Sequence, residues 1–313
     1  MIVAHKKSLI EIRESNREYI MKMPIRIALG NFLNNLKENT RIMYSYAFND
    51  FFRRKIVGDC TVEEFNRVNH EMIIDHIKNI EEWKETTRQF RCAVYISFTS
   101  YLARITQGLF RKAVPSTLAS NKTFYQVHEK CVTKSLTIHE WNTFIDALYK
   151  ISIRDALIAK CMLQGAKRIS EVLEVDIDDV DLEKNIITFR QKKIGFLKKI
   201  PITFPERYIK ELKEYVNDTI IYRAKTSALF VTNRGNRIKR MNVNVVFAKA
   251  SYLAGIPCIT PHSLRTTWIT LAKQQGIQDT EIMKVTGHSS SKMIYAYDKT
   301  SLEDNCSKKM ILI

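Results

Sequence analysis

Pro261-His262-Ser263-Leu264-Arg265, then Thr286-Gly287-His288, then Tyr295-Ala296-Tyr297-Asp298-Lys299: these three runs share the stretch 261–299 near the end of the chain. His262 and Arg265 stand three apart, so on a helix they lie on one face. Gly287 is suited to end a helix and turn the chain into His288. Tyr297 follows at a distance that allows a turn and a new helix to bring it back. A His, an Arg, a second His and a Tyr in that order suit phosphoryl transfer to a tyrosine. Such a site also needs another arginine, a general acid and a surface that holds a polyanion.

The arginine comes from upstream. An apolar helix over 154–163 breaks at Gln164-Gly165-Ala166, and Arg168-Ile169-Ser170-Glu171-Val172-Leu173 resumes it. Arg168 and Glu171 are one turn apart. Such a pair is usually a surface ion pair of little worth. The alternative is an arginine held rigid by a buried Glu so that its planar fork faces a phosphate. For the acid, residues 185–190 and 199–203 read as two strands of a hairpin, with a long basic tip over 191–198. Its lysines are either solubilising residues of an edge strand or proton donors to a leaving oxygen. Lysine suits that task because its pKa falls when it is desolvated or set beside arginines. Lys192, Lys193, Lys198 and Lys199 are all candidates.

The chain as a whole fits a polyanionic partner. It has 313 residues, enough for two domains, and a net charge of +17. Residues 1–113 carry 19 Lys/Arg against 13 Asp/Glu, and the remainder 31 against 20, so the excess is not a detachable tail. A generally basic solvated surface is the plainer reading; two lobes that both touch nucleic acid is the sharper one. No apolar run is long enough to span a bilayer, and the N-terminus has no signal-peptide layout. The six cysteines are scattered without a C-x-x-C pair, as expected of reduced thiols in a cytoplasmic protein with no zinc site. The absence of a P-loop or GxGxxG predicts no nucleotide cofactor.

Residues 1–113 read as a helical lobe. The spacing predicts helices over 25–36, 40–54, 71–80 and 86–104. Ile42, Met43, Tyr46, Ala47 and Phe51 face inward on the second of these, and Phe90, Val94, Tyr95, Phe98 and Leu102 on the last. Basic residues interleave with them, Lys37, Arg41, Arg88 and Arg91 among them, placed to contact phosphates rather than to read bases. Residues 114–134 lose periodicity and read as an interdomain link. A second lobe, 135–313, restarts at Thr137, which with Glu140 forms a capping box.

With Arg168, a hairpin lysine, His262-x-x-Arg265, Gly287-His288 and Tyr297 in that order, the chain resembles the tyrosine recombinase family of phage lambda integrase, Cre and Xer. The likeness covers nearly the whole chain. It rests on Gly165-Ala166-Lys167-Arg168-Ile169-Ser170-Glu171-Val172-Leu173, on Pro261-His262-Ser263-Leu264-Arg265-Thr266-Thr267 and on Gly287-His288-Ser289-Ser290; Asn39-Thr40-Arg41-x-x-Tyr44 and Thr87-x-x-x-Arg91 resemble the family's core-binding domain. Within the family, Gln164-Gly165-Ala166-Lys167-Arg168 and the stretches 281–288 and 296–299 are similar to plasmid-encoded integrase-like proteins of chlamydiae. Thr266 stands where a His is common and Thr286 where a Leu is common.

The resemblance implies a mainly α fold with a small antiparallel β-sheet, in two domains that close on DNA as a C-shaped clamp. It selects Lys193, eight residues before Pro201, as the general acid, and Tyr297, nine after His288, as the nucleophile. Arg168 and Arg265 would then steady the phosphate and His288 would hydrogen-bond it. His262 would orient the phosphate or take the tyrosine proton, with Glu171 behind Arg168. It further implies double-stranded DNA as partner and a homodimer on each site. It implies as well a homotetramer in synapsis, alone or with a related recombinase, and chemistry without a metal or other cofactor. The apolar end, Met310-Ile311-Leu312-Ile313, is expected to pack on its own domain or, as the resemblance implies, to dock on a neighbouring protomer. A replication or copy-number factor that keeps the fold without strand exchange, and a topoisomerase-like nicking enzyme, are the competing expectations.

Overall fold

The computed structural model describes residues 9–113, 133–193, 196–222 and 226–295. The link at 114–132, Tyr297 and the apolar end lie outside the described residues. The chain divides into two compact units between Cys131 and Val132.

The described part of the first unit is helical: α1 (Leu9–Lys22), α2 (Ile25–Asn34), α3 (Glu38–Arg53), α4 (Val62–Asn66), α5 (His70–Lys78) and α6 (Glu85–Ile105). Its core is built on rings, with Phe32, Phe48, Phe51, Phe65, Tyr95, Phe98 and Phe110 all buried together. Phe48 meets Phe98 edge-on at 5.1 Å between centroids, an arrangement worth about 0.5–1.5 kcal/mol beyond its buried area. These rings decide how α3 lies. Ala47, Phe48 and Phe51 face the core, whereas Ile42, Met43 and Tyr46 are exposed, contrary to the expected stripe. Both sets fit a helical period, and the set carrying two phenylalanines buries more apolar surface.

The second unit has α7 (Ile138–Ile151), α8 (Ile153–Gly165), α9 (Ile169–Leu173), β1 (Val180–Asp181), β2 (Ile186–Lys193), β3 (Phe196–Thr203), α10 (Glu206–Asp218), α11 (Arg240–Leu253), α12 (Pro261–Gln274), α13 (Asp279–Thr286) and α14 (Ser291–Tyr295). Thr137 and Glu140 form the expected capping box at the start of α7. Helix α8 is buried at Ala156, Leu157, Ile158, Ala159, Cys161 and Met162, so it runs through the core rather than over it. α7, α10 and α12 pack on it.

The three strands form one antiparallel sheet in the order β1-β2-β3, with Ile187 opposite Ile202 and Lys193 opposite Phe196. The strands are longer than the residue types predict, and only residues 194 and 195 separate them. The reason is a buried row of period two, Ile187, Phe189 and Gln191, which carries the ladder past the β-branched segment. A smaller apolar cluster, Ile269, Ala272, Ile282 and Ile294, joins α12, α13 and α14. Among the described residues no helix is long and apolar enough to cross a membrane.

Candidate active site

Helix α8 ends because Ala166 takes a left-handed conformation (φ 49°), unusual for a residue with a Cβ. The chain reverses there and delivers Arg168 to the start of α9. Glu171, buried one turn later, accepts from the Arg168 backbone N–H at 2.8 Å and from its Nη1 at 3.0 Å. The two readings of this pair are thus separated: the carboxylate is buried, while the arginine side chain stays 40% exposed.

Arg265 arrives from the first turns of α12 and is fully buried. Its Nη1 donates to the Ala166 carbonyl at 2.8 Å and lies 3.7 Å from Glu171 Oε2. Its Nη2 donates to the Thr286 carbonyl at 2.9 Å and to His288 Nε2 at 2.9 Å. A buried guanidinium is tolerable only when paired and hydrogen-bonded in this way. One carboxylate therefore holds both arginines, and a phosphate that reaches a terminal nitrogen of Arg265 competes with an acceptor already bonded to it.

His288 is that movable acceptor. Arginine can only donate, so His288 Nε2 carries no hydrogen, and Nδ1–H faces Thr286 Oγ1 at 3.0 Å. Thr286 Oγ1 in turn donates to the Ile282 carbonyl at 2.7 Å. Burial and then the Arg265, Arg168 and His262 charges push the His288 pKa down to about 4. In this arrangement the ring is neutral and steadies Arg265. Donation to a phosphate oxygen, which the resemblance implies, requires that bond to break first. His262, exposed at the start of α12, also has a lowered pKa, from partial burial and the charges of Arg265, Arg168 and Arg240.

Three side chains not foreseen as site residues complete the cluster. Thr286 fixes the His288 tautomer. Gln191, last of the buried row on β2, donates to Glu171 Oε1 at 3.1 Å, while its own Oε1 is buried without a hydrogen bond. Its carboxamide lies across Gly287: a Cβ there would sit 2.5 Å from Gln191 Oε1, and Gly287 has φ +72°. Lys167 is buried, and its Nζ donates to the Val285 carbonyl. The inward period of β2 could have shown Gln191; nothing in the sequence pattern distinguishes Lys167 from a surface lysine.

Lys193 is the last residue of β2, two positions beyond Gln191; its side chain, like Tyr297, lies outside the described set. Ile294, fully buried, anchors the chain three residues before Tyr297. In the first unit Lys37 and Arg41 are exposed at the start of α3. Arg91 is instead committed inside that unit. It pairs with buried Asp50 at 2.9 Å, donates to the Ala47 carbonyl and lies over the Trp83 ring at 4.2 Å. Arg88 donates to the Lys78 carbonyl at 2.9 Å. Both arginines, expected to contact phosphates, thus commit some of their donors to internal bonds that satisfy half-buried guanidinium groups.

Among the described residues no three or more His, Cys, Asp or Glu side chains group as a metal site. A cavity of about 1130 Å³ among Tyr149, Arg154, Lys160, Glu211 and Arg234 shares no lining residue with the cluster.

Comparison with known proteins agrees on one family. The model of the phage integrase family matches residues 134–303. The chain is 41% identical over 261 residues to the virulence plasmid integrase pGP8-D of Chlamydia muridarum (strain MoPn / Nigg), covering 82% of this chain and 77% of the relative. Among solved structures, the Tn1549 transposon integrase in complex with transposon right end DNA superposes with a TM-score of 0.71 at 15% identity, covering 92% of this chain and 98% of that one. A lambda integrase dimer bound to a COC′ core site gives 0.66 at 15% identity, covering 96% and 85%.

Proposed function

The chain belongs to the phage integrase family and is a site-specific recombinase that cleaves and rejoins DNA, and on that premise we propose that Tyr297 is its nucleophile. The Tyr297 Oη–phosphorus bond forms as the phosphorus–O5′ bond breaks, leaving a 3′-phosphotyrosyl link and a free 5′-hydroxyl. The phosphodiester energy is kept, so rejoining needs no ATP. Lys193 gives its proton to the departing O5′. Arg168 and Arg265 stabilise the charge that gathers on the non-bridging oxygens. His262 orients the phosphate or takes the tyrosine proton. His288 holds Arg265 through its unprotonated Nε2 until phosphate arrives, and hydrogen-bonds the phosphate only once it presents an N–H to it, by a change of tautomer or by taking up a proton. The observation that carries this reading is the convergence of Arg168 and Arg265 on Glu171, with His288 against Arg265.

Two arginines and a lysine supply the positive charge, and two imidazoles the hydrogen bonds, that stand in for the divalent cations of many phosphoryl-transfer enzymes. Covalent protein–DNA adduct is expected to form in excess EDTA; loss in EDTA with full return on Mg²⁺ overturns the metal-free scheme.

On the same proposal, residues 1–113 are a core-binding domain that grips the duplex through Lys37 and Arg41, 114–134 the link, and 135–313 the catalytic domain. Two protomers occupy one site, as in the lambda integrase dimer on its core site, and two such dimers synapse in the cytoplasm. Trapping adducts on a library of nicked duplexes identifies the site and the nucleophile together. Tyr297→Phe is expected to form none; an adduct from that variant moves the nucleophile to Tyr295.

A further inference from the structure

The cluster is overcharged for the ground state of its substrate. Lys167, Arg168 and Arg265 surround the single carboxylate of Glu171, which leaves two positive charges in excess. Two of these cations have a plain use in gripping a phosphate. Lys167 has no such use, since its buried Nζ is turned to the Val285 carbonyl. Burying an ammonium costs several kcal/mol unless something offsets it. The offsets found are its bond to the Val285 carbonyl, the Phe189 ring 5.1 Å away and the charge of Glu171.

Resting on the recombinase reading above, we infer that Lys167 is a positioning residue that completes the charge of the site from behind. It holds the end of α13, and with it the Thr286 carbonyl and His288, against Arg265. It also supplies the second surplus positive charge. A phosphodiester carries one negative charge; the pentacoordinate state formed on attack carries close to two. A fixed cation that does not touch the phosphate favours the second over the first and needs no rearrangement to do so.

The groups that face Lys167 come from six elements: Cys161 on α8, Glu171 on α9, Phe189 on β2, Lys198 on β3, Arg265 on α12 and the Val285 carbonyl on α13. Burial is the largest influence on its pKa. Glu171 and Cys161 oppose it and Arg265 and Lys198 reinforce it, bringing the ammonium down to about 8. Lys167 therefore loses its charge within an accessible pH range, which a packing role alone would not make visible.

The test uses the full chain on the nicked duplex found by adduct trapping, with O5′ of the scissile phosphate replaced by sulfur. A thiolate leaves without a proton, so any alkaline limb due to Lys193 disappears. With DNA below saturation, the wild-type adduct rate is expected to fall as pH rises through about 8. Lys167→Met is expected to react about ten- to a hundredfold more slowly, to lack that limb and to bind the duplex as the wild type does. Equal rates and equal limbs in the two proteins overturn the inference. Should Lys167→Met not fold, the wild-type profile alone decides, because a flat rate between about pH 7 and about pH 9.5 also overturns it. No adduct from the wild type on any duplex overturns the recombinase reading, and this inference with it.

Discussion

At the scale of single residues, the site depends on which atoms of His288 carry hydrogen. Thr286→Val keeps the shape and removes the partner of Nδ1. It is expected to lower the adduct rate about tenfold and stability by about 1 kcal/mol, read by single-turnover cleavage and urea unfolding. The histidine also predicts a pH dependence. Its folded pKa of about 4 lies below the 6.5 of the unfolded chain. Between those values the unfolded state binds the extra proton, so stability falls as pH drops from 6.5 towards 4, by roughly 2–3 kcal/mol from this group. Comparing urea midpoints of the wild type and His288→Gln across that range isolates its share. In the first unit, Arg41→Ala is expected to weaken DNA binding with unchanged melting. Arg91→Ala should instead destabilise by about 1–3 kcal/mol, because it removes the most buried of the three arginines, with Arg53 and Arg54, that pair with Asp50. Arg168, His262, Arg265 and His288 were legible from order and spacing. Lys167 was not, because a lysine in a basic chain gives no sign of whether it is buried, and the internal bonds of Arg91 were hidden for the same reason.

At the scale of elements, the hairpin and α13 meet at Gly287. Alanine there has to pass the Gln191 carboxamide and adopt a left-handed backbone. Gly287→Ala is expected to cost about 1 kcal/mol for the backbone alone, with a further loss from displacing Gln191. Adding Gln191→Ala should return the second part but not the first, measured as melting temperature. The length of β2 was hidden because its polar end reads as loop chemistry. Its alternation continues through Gln191, and alternation rather than residue type set where the strand stops. On α3 two stripes satisfied the helical period, and only the aromatic packing of its neighbours chose between them. Thr137 was readable in full, since a capping box is local and needs no tertiary partner.

At the scale of the whole molecule, the +17 charge predicts that DNA affinity falls steeply with salt. Removing one phosphate-binding side chain, by Arg41→Ala or by Lys37→Ala, should flatten the log–log slope of affinity against salt by about one. The division into two lobes was visible in the loss of periodicity before Thr137, because each lobe needs its own apolar face. The separate cluster of Ile269, Ala272, Ile282 and Ile294 was not, because its members lie far apart in sequence among ordinary helix positions. Beyond that small cluster, α13 is held by the bonds that Arg265 and Lys167 make to the carbonyls at its end. With so small a cluster of its own, α13–α14 is expected to be the weakest cooperative block among the described residues of its unit. In deuterium exchange its amides should open ahead of those in α8, and binding a phosphate at Arg265 should change their protection first.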